Sequence, residues 1–297
     1  MLIRELHRQK NFTLSFEVFP PVREGNLESL YRAIEDLKAL SPDFISVTYG
    51  AGGSTRDRTI EISSKVKNGF KLEVTAHLTC VHSTREEIAK ILDEFRRENI
   101  ENILALRGDP PKGEESFVRP AGGFGYANEL VEFIRSKNGF CIGVAGYPEG
   151  HPEAPSREAD LLNLKRKVDA GADFVITQLF FLNDFFYSFQ DRADRIGIVK
   201  PIIPGVFLLQ NYGQMVKISE LCGATIPSKL AGKIDRVKDR PEEVEKYGTD
   251  HAYRQAEDLI RNRVRGLHLY TMNRSEPAMK VVRWLNLTRE TGKSAGG

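Results

Sequence analysis

Cysteine is scarce in this chain: Cys80, Cys141 and Cys222 are the only three in 297 residues. They are odd in number, far apart and form no C-x-x-C pair, which argues against a disulfide framework or a thiolate metal site and leads us to expect a reducing cytoplasm. No apolar run approaches the ~20 residues that a membrane span requires. The opening MLIRELHRQK has no apolar core, so no secretion signal is expected. Net charge is only +2, which gives no support to a nucleic-acid or membrane-surface partner. Also missing are a G-x-G-x-x-G loop, a strand-end lysine suited to a Schiff base and a Ser-His-Asp arrangement. His77 and His151 are too isolated to suggest a metal triad, so no metal is expected.

What is present is a regular alternation. Strand-like runs at Leu14 to Phe19, Asp43 to Gly50, Leu72 to Cys80, Asn102 to Asp109, Phe140 to Pro148, Asp173 to Phe181, Lys200 to Val206 and Gly266 to Arg274 are separated by helical patterns. Those patterns cover Leu27 to Leu40, Arg56 to Lys67, Ser83 or Thr84 to Arg97, Tyr126 to Lys137, Ser156 to Ala170, Asn183 to Arg195, Tyr212 to Cys222 and Pro277 to Leu285. The charged stretch Ile226 to Val264 breaks the rhythm and reads as an extra helical insertion before the last strand. Strand then helix, repeated eight times in 297 residues, predicts an α/β fold: a single (β/α)₈ TIM barrel over residues 1–290, with residues 291–297 as a disordered tail. The near-continuous β-branched runs fit strands buried on both faces. The rival, a doubly wound open sheet, usually carries a glycine-rich loop after its first strand, where this chain has Glu17 and Pro20-Pro21.

Chemistry in such a barrel sits at the C-terminal ends of the strands. Those ends carry Glu17, Thr48-Tyr49, His77, Arg107-Gly108-Asp109, Tyr147, Gln178, Tyr270 and Arg274. A lone strand histidine is more often packed and hydrogen-bonded than functional, and a lone glutamine often serves loop backbone. A carboxylate in an apolar strand is different, because leaving Glu17 there costs several kcal/mol unless it is paired or protonated. The set suits a flat heteroaromatic ligand plus one proton transfer, and any redox step would need a cofactor. A second dense patch runs from Ala145 to Lys167. Asp160, Asn163, Arg166 and Lys167 fall at helical spacings of three and four, either as a solvated face or as a clamp for a nucleotide's ribose and phosphates.

The segments SFEVFPP, SVTYGAGGST, AHLTC, LALRGDPP, YPEGHPEA, ADLLNLKRKVDAGADFVITQLFF and GLHLYTMNR, in this order, resemble the methylenetetrahydrofolate reductases, from Leu14 to about Leu287. The resemblance implies an FAD-containing (β/α)₈ barrel that reduces 5,10-methylenetetrahydrofolate to 5-methyltetrahydrofolate in a ping-pong cycle with NADH or NADPH. It covers the catalytic domain, without the regulatory domain of eukaryotic members. It implies that Glu17 is the general acid at folate N10 and that Asp109 tunes the flavin and stabilises the cationic folate. The implied flavin contacts are Tyr49, Ala51, His77, Arg107, Gly108, Asp109, Ala127, Tyr147, His151, Ala154, Asp160, Asn163, Arg166 and Lys167. Thr48 and Gln178 are the implied nicotinamide contacts, and Asp109, Gln178, Gln214 and Arg274 the implied folate contacts. Where the family carries a folate-stacking aromatic, this chain has Ile218, with Tyr212 or Phe207 as substitutes and Gln210 as a competitor of Gln214. A homo-oligomer or a subunit of a larger complex is expected. The alternative to NAD(P)H is an iron–sulfur partner protein that feeds electrons to the flavin, since this chain has no cysteine cluster of its own.

Overall fold

The structure, a computed structural model, describes residues 1–21, 26–49, 56–110 and 117–287. The strands are β1 (Thr13–Val18), β2 (Phe44–Val47), β3 (Val74–Thr79), β4 (Asn102–Leu106), β5 (Cys141–Gly146), β6 (Phe174–Thr177), β7 (Ile202–Ile203), β8 (Gly205–Phe207) and β9 (Gly266–Tyr270). The helices are α1 (Ile3–Gln9), α2 (Leu27–Lys38), α3 (Arg56–Ser64), α4 (Arg85–Arg97), α5 (Ala127–Ser136), α6 (Arg157–Asp169), α7 (Asn183–Arg195), α8 (Tyr212–Cys222), α9 (Ser228–Asp235), α10 (Pro241–Arg261) and α11 (Ser275–Trp284). Every strand pairing is parallel, in the order β7-β6-β5-β4-β3-β2-β1-β9-β8.

The two end strands of that order are one run of chain broken at Pro204. Proline has no N–H to give to a ladder, so the run changes neighbours there. β7 pairs with β6, β8 pairs with β9, and the Pro204 carbonyl accepts from His268 N at 3.0 Å. The sheet thereby closes into the expected barrel, with the predicted seventh strand bent in two. The predicted helical segment before the last strand is also present, and its long helix α10 completes the outer ring. It is tied to α7 by Asn183 and Tyr187 on the Asp258 carboxylate, both at 2.7 Å, and to α11 by Tyr253 edge-on to Trp284. The shorter α8 and α9 are the additions to the repeat.

Strand alternation sends one set of side chains outward and the other inward. Ile45, Val47, Val74, Ala76, Ile103, Ile142, Val144 and Val175 join the ring helices in the main core. The inner set splits by height. Near the N-terminal ends it is apolar: Phe44, Leu104, Cys141, Phe174 and Ile176 pack together with Ile3 and Leu6 of α1. That short helix, which the sequence pattern did not reveal, plugs the base of the barrel. Ile3 N donates to Asn102 Oδ1 at 2.8 Å, Arg4 Nη1 donates to the Phe140 carbonyl at 3.0 Å, and Arg265 Nη2 donates to the His7 carbonyl at 2.7 Å. The predicted tail, 291–297, lies outside the described residues.

His7 of α1 is buried against the Phe174 ring, and neither of its ring nitrogens has a partner. Burial, reinforced by Arg265, lowers its pKa from 6.5 to about 4. Between these values the unfolded chain binds a proton that the folded chain refuses, so stability falls as pH drops from 6.5 towards 4. Replacing His7 with leucine should flatten that decline. Calorimetric Tm measured across the acid range checks it, and an unchanged slope would refute it.

Candidate active site

Above the apolar base the inner set turns polar. Ser15 and Glu17 come from β1, Ser46 from β2, His77 from β3, and His268 and Tyr270 from β9; the pairs on β1 and on β9 are two residues apart and so each pair shares a face. The Glu17 carboxylate, 17% exposed, stands with Oε2 at 3.5 Å from His77 Nε2 and 3.4 Å from His268 Nε2. His77 Nε2 is 2.8 Å from Ser46 Oγ, and His268 Nδ1 is 2.8 Å from Ser15 Oγ. A His268 tautomer with its proton on Nε2 satisfies both of its contacts, accepting from Ser15 and donating to Glu17. Burial pushes His77 down to about 4, against the pull of Glu17 and with the push of His268, so it is neutral near pH 7. Tyr270 lies edge-on to His268, its rings' centroids 5.1 Å apart, and donates to the Thr177 carbonyl at 2.6 Å. Burial first, then the charge of Glu17, raises its ionisation well above the usual tyrosine range.

A second group gathers where β4 and β5 end. Arg107 makes a two-pronged pair with Glu153, both contacts at 2.6 Å, and lies over the Phe117 ring. Gly108 follows at φ +89°, and a β-carbon there would come within 2.5 Å of Val81 Cγ2. Only glycine takes this turn without strain, and the turn exposes Asp109 to the charge-sensitive groups Tyr147 and Cys222. Tyr147 and His151 meet edge to face at 4.7 Å. His151 Nδ1 accepts from Glu153 N at 3.1 Å, Ala154 N donates to the His151 carbonyl at 2.9 Å, and the His151 backbone serves the buried Asp160. Burial raises Asp160. It also lowers Lys167 to about 8 despite the nearby Asp160, and the Lys167 ammonium donates to the Ala145 carbonyl at 2.6 Å.

The remaining expected residues are spread around this mouth. Thr48 and Tyr49 directly follow β2, with Tyr49 pushed up to about 12 by burial. Ala127 opens α5, and Asn163 and Arg166 are exposed on α6, 2.8 Å apart. Gln178 folds back so that its Oε1 accepts from Leu179 N at 2.9 Å. Gln210 is occupied structurally, donating to the Thr271 carbonyl at 2.9 Å, whereas the Oε1 of Gln214 is buried without a partner. Phe207 is buried against Phe181, and Ile218 and Tyr212 pack on the same apolar cluster. Arg274 is ion-paired with Glu245. Ala51 lies outside the described residues. No cluster of three or more His, Cys, Asp or Glu side chains able to hold a metal occurs among the described residues, and no helix among them is long and apolar enough to cross a membrane.

The family model "Methylenetetrahydrofolate reductase" matches residues 2–286. The Escherichia coli 5,10-methylenetetrahydrofolate reductase is 39% identical over 279 residues, covering 94% of this chain and 92% of that protein. The chain belongs to the methylenetetrahydrofolate reductase family. The Arabidopsis thaliana "Methylenetetrahydrofolate reductase (NADH) 1" is 40% identical over 97% of this chain but only 51% of its own length, so this reductase-family chain spans about half of the plant relative. Among solved structures, a Clostridium thermocellum protein described as binding two copies of 5-methyl-5,6,7,8-tetrahydrofolic acid superposes with TM-score 0.65 at 15% identity, over 96% of this chain and 98% of that one. That likeness supports the barrel.

Sequence reasoning missed His268 as a partner of Glu17, Ser15 as a partner of His268 and Ser46 as a partner of His77. A signal for two of them existed: His268 precedes Tyr270 by two residues and Ser15 precedes Glu17 by two, so each shares the inner face of a residue already singled out. The Gly108 turn makes a direct test possible. Gly108→Ala should cost ~1–3 kcal/mol of stability through the forbidden φ and the Val81 contact. Denaturant unfolding measures this, and a neutral result would show that the turn relaxes freely.

Proposed function

We propose that this chain reduces 5,10-methylenetetrahydrofolate to 5-methyltetrahydrofolate, using FAD and electrons from NADH or NADPH in a ping-pong cycle. The observation that carries the reading is Glu17: a carboxyl group in the barrel mouth, hydrogen-bonded by His268 and flanked by a neutral His77. Family membership supplies the substrate class.

The second group fits a flavin nucleotide. Lys167 is an enclosed amine whose one acidic neighbour does not restore its usual pKa, which is the state a phosphate would relieve. Arg166 stands exposed beside it on α6, Asp160 offers a carboxylate for sugar hydroxyls, and Tyr147 with His151 makes an aromatic wall. When bound, FAD would supply hydride chemistry that no protein side chain performs. Arg107 and the backbone of Gly108 would hold the ring system, with Tyr49, Ala51, His77, Ala127, Ala154 and Asn163 around it. Thr48 and Gln178 would position the nicotinamide.

Glu17 delivers its proton to folate N10 as the five-membered ring opens, and the carboxylate left behind is stabilised by His268 Nε2–H. Asp109 sits beside the cation that then forms on the folate and lowers its energy by charge. Gln178 and Gln214 orient the substrate, and Arg274, half-exposed at the start of α11, meets its acidic tail.

Purified protein should be yellow, and NADH or NADPH without oxygen should bleach it. A colourless chain that takes up no FAD would end this reading. Bleaching by neither nucleotide would favour delivery of electrons by a partner protein. Glu17→Gln should retain flavin and its reduction by the donor, yet lose roughly 10²- to 10⁴-fold in folate turnover. Folate reduction near the normal rate would remove Glu17 from the acid role. Asp109→Asn should shift the flavin potential and slow the folate half-reaction, and stopped-flow spectra of each half-reaction separate the two variants.

A further inference from the structure

Helix α8 bridges the barrel mouth. It leaves β8 through Leu208–Gln210, is started by Asn211, whose Oδ1 accepts from Gln214 N at 2.8 Å, and is ended by Gly223 at φ +66°. Its far end docks on the loop after β5. Gly223 lies against Pro152, and Thr225 N donates to the Glu149 carboxylate at 3.0 and 3.2 Å. Met215, Ser219 and Cys222, spaced by four and three, form its inner face. Met215 packs on the wall made by Leu179, Phe207 and Leu209. At the other end Cys222 packs against the same cluster as Tyr270, near enough to Glu17 and Asp109 to feel both charges. Ser219 lies between Met215 and Cys222 on this buried face, one turn from the end of the helix that feels the two candidate catalytic carboxylates.

The Ser219 side chain is 5% exposed, and its hydroxyl has no hydrogen-bond partner. A serine inside a helix normally turns its hydroxyl to water or back to the carbonyl one turn earlier, and this one does neither. Seven buried side-chain polar atoms lack partners among the described residues, and two of them, Gln214 Oε1 and Ser219 Oγ, are on this one helix. An unmet buried hydroxyl destabilises a fold unless something else supplies the bond.

We propose that Ser219 is a further substrate-contacting residue, whose hydroxyl completes its hydrogen bonding on a polar atom of the folate held between α8 and Glu17. This rests on the folate reading above and adds a contact to it. Folate, with ring N–H, carbonyl and amino groups, can meet a hydroxyl as donor or acceptor. The contact belongs to the folate half of the cycle, so it should leave flavin content and flavin reduction by NAD(P)H unchanged.

The test uses the FAD-loaded enzyme and its Ser219→Ala and Ser219→Cys variants. For each, Tm without folate, the Kd for 5-methyltetrahydrofolate by calorimetry, and both half-reactions are measured. The expected result is a Tm equal to or above wild type, a folate Kd raised roughly three- to tenfold, and an unchanged donor half-reaction. A lowered Tm with an unchanged folate Kd would make the hydroxyl structural and overturn the proposal, as would variants identical to wild type in every measurement. Wild-type enzyme that binds and turns over folate, paired with unaltered variants, rejects Ser219 alone. Wild-type enzyme that binds no folate rejects this contact and the folate reading together.

Discussion

A carboxylate inside a barrel is the constraint around which this structure is arranged. Desolvating Glu17 is unfavourable, and the surrounding strands answer with neighbours rather than with a full counter-ion. Two imidazoles stand within 3.5 Å of its oxygen, and each also meets a serine hydroxyl: His268 through its other ring nitrogen, and His77 through the nitrogen that faces Glu17. His77 is neutral near pH 7, so it places no fixed positive charge beside Glu17.

That arrangement depends on the barrel having two storeys. The lower one is filled by Phe44, Phe174, Leu104 and Ile176 and closed from below by α1. The upper one is given to polar side chains that bond one another across strands. Small residues make this possible: the serines and threonines of β1, β2 and β3 face inward without filling the space. The break at Pro204 belongs to the same logic. It lets Gly205 N donate to Thr177 Oγ1 at 2.9 Å and leaves room for the Tyr270 ring, whose hydroxyl holds the Thr177 carbonyl.

The roof is built differently from the walls. The loop after β5 and helix α8 meet through Glu149, Pro152, Gly223 and Thr225, contacts that are few and mostly polar. Elements held this lightly belong to the less stable part of a fold, where ligand-responsive parts are drawn from. The side where β4 and β5 end is firmer, because Arg107, Glu153, His151, Asp160 and Lys167 form a continuous charged and hydrogen-bonded series.

By itself the sequence determined the repeat, the parallel barrel and most of the strand ends, because period-two and period-3.6 patterns and turn residues such as Pro20-Pro21 act over a few neighbours. It marked Glu17 as out of place in an apolar strand and singled out Arg107-Gly108-Asp109. Tertiary structure alone decided that His268, some 250 residues further on, would brace Glu17, because ring closure sets β9 beside β1 in register with Ser15 opposite His268. It decided likewise that α1 is a plug and that Gln210 is bound to Thr271 while Gln214 is not. These facts rest on which side chains meet across space, and no local pattern of spacing carries that information.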